Sequence, residues 1–309
     1  MPDPAPTRTS RATSGLQGGA GDPGAERVRP DEKAAILAEA LPYIREFSGR
    51  TVVLKYGGHA MEDPDLSELF AQDVVLMRLV GMNPVVVHGG GPQISDLMRR
   101  LGKEPEFVDG LRVTDAETVD IVRMALVGKV NREIVTSLNR HGSYAVGLSG
   151  EDAGLLRVEA RDARLGFVGD VRHVDPAILE RVLREDLIPV VATIGVDDEG
   201  QAYNVNADAV AGAIARALHA EKLVYLTDVA GIYEDFSDEA SLISQTDVAG
   251  LERLLADGKV GEGMIPKVRS CIDALRGGVH RAHVLDGRLP HVALLEFFTR
   301  EGVGTVIDA

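Results

Sequence analysis

The amino-acid sequence predicts an α/β fold, with a mainly parallel sheet that carries helices on both faces. From Thr51 onward, short β-branched runs alternate with longer helical stretches, which is the pattern of βαβ units. The 309 residues are enough for a large core. Glycine-bearing loops follow the first two predicted strands, and ligands of parallel α/β sheets bind at such carboxyl ends. We therefore expect one continuous domain of two lobes with a crevice at this sheet edge.

The first fifty residues are predicted to hold a disordered tail and one helix. Residues 1–30 are rich in Pro, Gly, Ser, Thr and Ala and offer too little apolar surface to offset their ordering entropy. A helix is predicted over 31–47, with Asp31 as its N-cap and a kink at Pro42. Its apolar stripe consists of Leu37, Leu41 and Ile44. A helix of this length is marginal alone, so it needs a partner surface, either on its own domain or on another chain.

The remaining elements follow from the periodicity of apolar residues. Buried strands are predicted for the apolar runs at 51–56, 84–88, 145–150, 188–196, 222–229, 280–287 and 304–308. Helices are predicted for the stretches at 66–81, 92–102, 115–140, 175–185, 207–219, 247–256 and 266–277. No internal repeat and no flexible linker interrupts the chain after residue 50.

Composition excludes several classes of partner. The formal net charge of −15 argues against nucleic acid, which requires a basic face. No apolar run approaches the roughly 18 residues of a membrane helix, so no membrane partner is expected. The single cysteine, Cys271, excludes an internal disulfide and fits a reducing cytoplasm. A transit peptide is disfavoured by acidic residues near the N-terminus, and we expect a cytoplasmic protein.

Three glycine loops are candidates for binding an anion. KYGGHAM (55–61) follows the first strand, HGGGP (88–92) follows the second, and GEGMIPK (261–267) opens a late helix. Consecutive glycines allow close backbone approach, so that successive N–H groups can point at an oxyanion. The alternative is a tight turn that needs glycine only for its own geometry. A G-x-x-x-x-G-K-[ST] motif is absent, which disfavours a P-loop NTPase.

Two lysines occupy unusual positions. Lys55 ends an otherwise apolar strand immediately before Gly57 and Gly58. Lys267 follows Pro266 at a helix start, where the helix dipole disfavours a cation. Such a misplaced charge is expected where function overrides stability. Either side chain could instead simply reach into water.

Several polar residues lie next to predicted strands and helices. YNVNADAV supplies Asn204 and Asp208 before an alanine-rich helix, although such residues are often only helix caps. LTDVAGIY places Thr227 and Asp228 at a strand end, with Gly231 in the following turn. Arg112 offers a fork for bidentate carboxylate binding, although most arginines are merely solvated. The late histidines lack the glutamate of a zinc motif, so no metal site made of protein side chains is expected.

Lysines, glycine loops and an arginine without an evident base suit phosphoryl transfer to a carboxylate. A side-chain carboxyl group has a pKa near 4.3, so at neutral pH it is already an ionised nucleophile. The protein then has to position the reactants and cancel the charge of the transferring phosphoryl group, with Mg²⁺ as a cofactor.

The same segments resemble the acetylglutamate kinases of the amino-acid kinase family. The resemblance rests on LKYGGHAM, VVVHGGGPQIS, DGLRVTD, YNVNADAVAGAIA, LTDVAGIY, GMIPKV and HVLDGRLPHVALLEFFT, and it extends from about residue 31 to the C-terminus. It implies an open αβα sandwich, with a kinase domain over 49–309 that follows an oligomerisation helix over 31–48. It also implies ATP-dependent phosphorylation of the γ-carboxylate of N-acetyl-L-glutamate, the second step of arginine biosynthesis.

The resemblance also implies roles for individual residues. Lys55 and Lys267 match lysines that stabilise the transition state, and Asp208 matches the aspartate that orients them. The positions for acetylglutamate, in the N-terminal lobe, are Gly90, Gly91, Arg112 and Asn204. Gly58 matches a glycine that helps to bind the γ-phosphate. Together with the loop residues Gly57, Thr227, Asp228 and Gly231, it is predicted to form the nucleotide and phosphate site, mostly in the C-terminal lobe.

The N-terminal helix resembles that of arginine-inhibited relatives, in which it links dimers into a hexamer, a trimer of dimers. The matching positions for the arginine effector are Tyr43, His283, Glu296 and Gly302. Two alternatives stay open: another carboxylate kinase of the same family, and a non-catalytic amino-acid sensor. Binding of a PII-type signalling protein is also open.

Overall fold

The computed structural model describes residues 29–235, 237–299 and 302–309. The tail predicted to be disordered lies outside the described residues up to position 28. The chain divides into two compact units, one ending at Glu39 and one spanning Ala40–Ala309. The described part of the first unit is α1 (Pro30–Glu39).

The predicted helix over 31–47 is divided between the two units. The second unit begins with α2 (Leu41–Phe47), which has Pro42 in its first turn. A proline ring removes the N–H that would continue the preceding helix, so the break falls close to the predicted kink. Phe47 is buried and packs edge-on against Phe297, with ring centroids 5.5 Å apart. The end of the predicted oligomerisation helix is therefore part of the core of the second unit.

The main sheet, over the described residues, has eight strands. Numbered along the chain and given from edge to edge, they are β14 (Gln245–Asp247), β16 (Thr305–Asp308), β15 (Arg281–Asp286), β11 (Lys222–Thr227), β1 (Thr51–Tyr56), β2 (Asn83–His88), β8 (Ile188–Ala192) and β5 (Ala145–Ser149). Neighbouring strands are parallel except for the β15–β16 pair. The prediction of a mainly parallel sheet is confirmed.

Helices cover both faces of this sheet. One face packs against α7 (Ala177–Arg184), α8 (Ala207–Ala217), α9 (Val248–Ala256) and α10 (Ile265–Arg276). The other face packs against α2, α3 (Pro64–Leu79), α6 (Asn131–Asn139) and α11 (Val292–Phe298). The β1 side chains alternate between the two cores: Val53 faces the first group of helices, and Val52 and Leu54 face the second. This is the three-layer αβα sandwich.

The remaining elements lie beside the sandwich. A small four-stranded sheet closes on itself and comprises, within the described residues, β6 (Leu156–Ala160), β7 (Val168–Val174), β9 (Ile194–Val196) and β10 (Ala202–Val205). Two short ribbons pair β3 (Phe107–Val108) with β4 (Leu111–Arg112) and β12 (Ile232–Tyr233) with β13 (Leu242–Ile243). Further helices are α4 (Gly91–Arg100) and α5 (Ala116–Arg123). None of the described helices combines the length and apolarity that a membrane crossing requires.

Two predicted elements differ from the structure. The strand expected over 188–196 is two strands, because Thr193 separates β8 from β9 and the chain changes sheet there. Gly195 permits this change, since a side chain there would clash with Val158 of β6. The helix expected over 115–140 is α5, a π-helix (Met124–Val130) and α6 in succession. The wider turn of a π-helix rotates the residues that follow it, and such turns are frequent at functional sites.

Candidate active site

Lys55 lies at the carboxyl end of β1, in the middle of the main sheet. It pairs in register with Val87 of β2 and Tyr225 of β11. Because side chains alternate along a strand, Lys55 faces the same side as Val53, toward α8 and α10. Both helices begin beside this sheet edge and bring Asp208 and Lys267 to it.

Asp208 bridges the two lysines. Lys267 Nζ donates a hydrogen bond of 2.9 Å to Asp208 Oδ2. Lys55 Nζ lies 3.1 Å from Asp208 Oδ1, as an ion pair without hydrogen-bond alignment. Both lysine side chains are largely shielded, at 14% exposure for Lys55 and 6% for Lys267. The arrangement presents two ammonium groups at one point, and Lys55 is the one held less tightly.

The charges of this cluster keep Asp208 ionised. Burial alone would raise the pKa of its carboxyl group, but the two lysine charges outweigh burial and lower that pKa to about 2. Burial also lowers the pKa of Lys267, with Asp208 opposing it. Asp208 is therefore a fixed anion near neutral pH, suited to orienting cations and unsuited to accepting a proton.

A buried polar network holds the backbone carbonyl group of Asp208, and sequence reasoning missed this network. Tyr225 donates to Ser270 Oγ at 2.6 Å, and Ser270 donates to the Asp208 carbonyl oxygen at 2.7 Å. The Lys267 ammonium lies 5.1 Å from the centre of the Tyr225 ring. A side chain at Gly212 would collide with Ser270, so this glycine lets α10 approach α8 closely. The small residues of α8 were the feature of the sequence from which this close packing could have been predicted.

The loop after β1 brings Gly57 and Gly58 to the same crevice. A Cβ atom on Gly57 would lie 2.9 Å from Lys55 Nζ, so the ammonium folds over this glycine. Gly58 has a φ of +71°, and its Cβ atom would meet the Asp228 carboxylate. Three of the predicted nucleotide residues, Gly57, Gly58 and Asp228, thus lie together.

The other two predicted nucleotide residues, Thr227 and Gly231, both lie next to other parts of the protein. Thr227 ends β11 and pairs in register with Asp286. Gly231 is buried, and a side chain there would collide with Thr305, whose hydroxyl group accepts the Ile232 N–H at 2.8 Å. Close packing accounts for this glycine, and its predicted contact with nucleotide stays a prediction.

Arg112 is buried at the three-glycine loop, in register with Phe107 of the β3–β4 ribbon. Its Nη2 donates to the Gly91 carbonyl oxygen at 3.0 Å and to Ser95 Oγ at 2.8 Å. Burial lowers its pKa, and within the described residues no carboxylate forms an ion pair with it. A buried guanidinium held only by neutral acceptors fits a site for an incoming carboxylate.

Asn204 lies on β10 and donates to Thr114 Oγ1 at 3.4 Å. Gly90 is pressed against Leu126 and Val130 of the π-helix, whereas a Cβ atom on Gly91 would meet nothing within 4 Å. Close packing thus explains Gly90, and the open space beside Gly91 is available to a ligand. The structure brings this loop to α8, since the Cβ position of Gly89 lies 3.4 Å from that of Ala207.

A cavity of about 780 Å³ lies in the C-terminal half, and neither Lys55 nor Lys267 belongs to its lining. Its lining comes from residues 234–235, 237–238 and 241 and from the segment 258–261. That segment leads through a short 3₁₀ turn into α10 and so to Lys267. Sequence reasoning did not single out this cavity, whose lining is ordinary polar loop.

Three of the four residues predicted to bind the arginine effector belong to one region of the second unit. Glu296 accepts a hydrogen bond of 3.0 Å from the buried Lys222, which sequence reasoning missed. His283 Nδ1 lies 2.9 Å from the same oxygen, but its N–H direction does not point at it. Lys222 also contacts the Phe47 and Phe297 rings, and Tyr43 packs into the same core. The fourth residue, Gly302, is exposed, with open space at its Cβ position.

Known kinases are similar to this chain along most of its length. The sequence model of the amino acid kinase family matches residues 50–286. An acetylglutamate kinase of Symbiobacterium thermophilum is 56% identical over 285 residues, which are 89% of this chain and 97% of that protein. An acetylglutamate kinase of Moorella thermoacetica is 54% identical, over 91% of this chain and 98% of that protein.

Solved structures show the same fold. An N-acetylglutamate synthase of Neisseria gonorrhoeae, complexed with coenzyme A and N-acetyl-glutamate, has a TM-score of 0.77 at 30% identity over 89% of this chain. The match spans only 63% of the synthase chain. The same synthase complexed with coenzyme A and L-arginine has a TM-score of 0.74 at 28% identity, over 89% of this chain and 65% of that one. Giardia carbamate kinase has a TM-score of 0.65 at 15% identity, over 84% of this chain and 99% of that one, and shows the fold alone.

Proposed function

The chain belongs to the amino acid kinase family, and from that premise we propose that it phosphorylates the γ-carboxylate of N-acetyl-L-glutamate to give N-acetyl-L-glutamyl 5-phosphate. It is a kinase, and as a member of this family it uses ATP. The relatives described above, at 54–56% identity over nearly their full length, are acetylglutamate kinases. This reaction is the second step of arginine biosynthesis.

The observation that carries the proposal is the Lys55–Asp208–Lys267 cluster. An ionised γ-carboxylate oxygen attacks the γ-phosphorus of ATP and forms a new P–O bond. The bond between that phosphorus and the β–γ bridging oxygen breaks, and ADP leaves with the electron pair. No proton has to be removed from the nucleophile, which agrees with an Asp208 that stays ionised. The two ammonium groups stabilise the charge of the phosphoryl group in flight.

Arg112 and the three-glycine loop support a doubly acidic substrate. We assign the α-carboxylate of N-acetylglutamate to the Arg112 guanidinium, which lacks a carboxylate partner among the described residues. The γ-carboxylate then extends along Gly90 and Gly91 toward Lys55, and Asn204 contacts the substrate from β10. An arginine fork and a lysine pair at opposite ends select for a dicarboxylate-derived substrate.

We place ATP on the other side of the lysines. The adenosine part occupies the cavity beside Lys259, and the phosphates reach Lys267 and the Gly57–Gly58 loop. Within the described residues, no group of three or more His, Cys, Asp or Glu side chains could hold a metal ion by itself. We propose that Mg²⁺ binds mainly through the phosphates, and the Asp228 carboxylate lies next to Gly58 of that loop. When bound, Mg²⁺ would neutralise phosphate charge.

One assay tests the activity. Purified protein, ATP and Mg²⁺ are incubated with N-acetyl-L-glutamate, L-aspartate, L-glutamate or carbamate in the presence of hydroxylamine, which traps acyl phosphates. We expect hydroxamate from N-acetyl-L-glutamate above all. Hydroxamate from another acid alone would assign a different carboxylate kinase, and no turnover of any acid would return the sensor alternative.

We also propose that arginine inhibits this enzyme by binding at Glu296. The Glu296 Oε2 atom is buried and has no hydrogen-bond partner among the described residues. Lys222, Phe47 and Glu46 line a neighbouring cavity of about 330 Å³. A guanidinium would supply donors to Glu296, and Lys222 would donate to the effector's α-carboxylate. In this proposal Gly302 leaves room for the backbone of the effector. A Gly302→Ala variant, whose added methyl group meets open space in the protein itself, should therefore lose sensitivity to arginine.

The oligomer we propose is a hexamer, a trimer of dimers joined by α1. None of the ten residues of α1 is buried, and Ile36 and Leu37 are 60% and 74% exposed. A helix this short is unstable alone in water, so the same helix of a second chain is the proposed cover.

The location we propose is the cytoplasm. The buried free thiol of Cys271 is in keeping with a cytoplasmic enzyme.

A further inference from the structure

His88 is a buried polar residue that the phosphoryl-transfer cluster does not use. It ends β2 and immediately precedes the three-glycine loop, with 0% exposure. Val86, two residues earlier on the same side of the strand, packs with Val130 and Ile134 on the α6 side of the sheet. His88 therefore lies on the face opposite to Lys55, beneath the loop.

Asn131 fixes the tautomer of His88. The Asn131 Nδ2 group lies 2.9 Å from the Val190 carbonyl oxygen, which can only accept, so the nitrogen is correctly assigned to this side. The same Nδ2 lies 3.0 Å from His88 Nε2, which must then be the unprotonated acceptor. Arg132 donates to Asn131 Oδ1 and holds the amide in this orientation. The proton of the neutral imidazole is left on Nδ1.

That proton orients one peptide of the glycine loop. His88 Nδ1 lies 2.9 Å from the Gly89 carbonyl oxygen and donates to it. In a planar trans peptide the C=O and N–H groups point in opposite directions. Because the Gly89 carbonyl group points toward the His88 ring on the α6 side, the Gly90 N–H points toward the α8 side. Lys55 and Asp208 lie on that side.

The surroundings hold the loop in this position. A side chain on Gly90 would collide with Leu126 and Val130 of the π-helix, and the same π-helix leads directly into Asn131. Within the described residues, neither Gly90 nor Gly91 donates its N–H to a backbone carbonyl group outside the regular helices and strands. No side chain caps α4 at Gly90 either. These donors are available to a ligand.

We propose that His88 is a positioning residue, which, as the Nδ1–H tautomer set by Asn131, aims the Gly90 N–H at the transferring phosphoryl group. This inference rests on the proposed function. In this arrangement the Gly90 N–H group is a donor that is held in place before the reaction, and such preorganised donors stabilise developing oxyanion charge. Loss of the Nδ1–H bond would let the Gly89–Gly90 peptide rotate, and the rate of transfer would fall while ATP still bound.

Two substitutions separate positioning from packing. In His88→Asn the amide nitrogen can take the place of Nδ1 and keep the bond to the Gly89 carbonyl group. In His88→Gln the amide can take the place of Nε2 and keep the bond with Asn131, but the loop bond is lost. Each variant loses one of the two hydrogen bonds. We expect kcat of His88→Gln to fall on the order of 10²-fold, the scale of one lost oxyanion donor, and kcat of His88→Asn to stay at least about tenfold higher, with KM for ATP nearly unchanged in both.

The tautomer itself gives a second readout that needs neither substrate nor a variant. Two-bond ¹H–¹⁵N correlation spectra of the histidine-labelled full chain should show His88 as the Nδ1–H form at neutral pH. An Nε2–H form, or equal kcat in the two variants, would overturn the inference. If the wild-type protein failed to phosphorylate N-acetylglutamate, the proposed function would fail instead, and the tautomer measurement would still stand by itself.

Discussion

Lys267 Nζ lies 2.9 Å from Asp208 Oδ2, although the two residues are 59 positions apart in the chain. The contact joins the first turns of two different helices that both begin at the carboxyl edge of the sheet. Burying a lysine at a helix N-terminus is costly, because burial and the helix dipole both act against the ammonium group. Asp208 compensates that cost, and the result is a fixed cation at the place where we propose that phosphoryl charge is stabilised.

Replacing either lysine should remove most of the activity. For Lys55→Ala and for Lys267→Ala, we expect kcat to fall on the order of 10²–10³-fold, since in the proposed reaction each ammonium acts on charge that develops in the transition state. Steady-state kinetics with N-acetylglutamate would measure this. Lys129→Ala, at an exposed lysine of the π-helix, is the matched control and should retain full activity. Near-normal kcat in both active-site variants would contradict the assignment.

Gly57→Ala should lower kcat through Lys55. A Cβ atom at this position would lie 2.9 Å from Lys55 Nζ and 3.3 Å from Cε, so the side chain has to move aside. A displacement of about 1 Å in a catalytic group costs on the order of 10²-fold in rate. Gly128→Ala, with nothing within 4 Å of the added methyl group, is the control. Equal kcat for the two variants would show that Lys55 acts from another position.

How much of this site could be predicted depended on whether a residue was locally anomalous. Lys55 and Lys267 were recognisable because a charge ends an apolar strand and begins a helix. Lys222 and Glu296 are 74 positions apart, and His88 and Asn131 are 43 apart. Each of these looks ordinary in its own segment, and only the folded chain pairs them.

Elements of the fold could likewise be predicted only where their own segment of the sequence shows a clear pattern. The alternation of apolar strands and helices predicted the main sheet because its strands are buried on both faces. The strands β6, β7 and β10 were missed, because β6 and β10 have only five and four residues, and the seven residues of β7 are interrupted by glycine and charged residues. Their order comes from pairing in the small sheet. The π-helix was also missed, because its extra residue per turn leaves no distinct pattern in seven residues.

Arg112→Lys should raise KM for N-acetylglutamate far more than KM for ATP. Lysine supplies a point charge in place of a planar fork, so it cannot keep the bonds to Ser95 and the Gly91 carbonyl group while it also binds a carboxylate. We expect an increase of at least tenfold for the acid and less than threefold for ATP, on the scale of one charged hydrogen bond. Arg99→Lys, at a nearby exposed arginine, is the control. A change confined to ATP would mean that the two substrates occupy the opposite sides.

His88 should make stability depend on pH. Burial lowers its pKa from 6.5 to about 4, and the nearby Arg132 charge adds to this lowering, while the bond to Gly89 opposes it. Between these values the unfolded chain takes up a proton that the folded chain does not, so stability is lost as pH falls below 6.5. The loss from pH 7 to pH 5 should be about 2 kcal/mol for this group.

Urea unfolding of the wild type and His88→Asn at both pH values would measure that loss as a difference between the two proteins. The comparison is needed because other groups titrate in the same range. Asp73, whose pKa burial raises to about 6 despite its contact with His291, contributes with the opposite sign. An identical pH dependence of the two proteins would mean that His88 is protonated in the folded state as well.

Removing α1 should separate assembly and regulation from catalysis. A cut before Thr51 would also delete Phe47, which is buried against Phe297 and contacts Lys222, so a chain that starts at Ala40 is the better variant. This second unit is compact by itself and keeps the active site and the Glu296 region. We expect it to sediment as a dimer, to retain kcat within about twofold, and to lose arginine inhibition if the effector needs α1 of a second chain. A chain from Ala40 that stayed hexameric would return α1 to a role in its own subunit.

Glu296→Gln in the full-length chain should lose inhibition by arginine while remaining hexameric, because it removes the buried anion that would pair with the guanidinium of the effector.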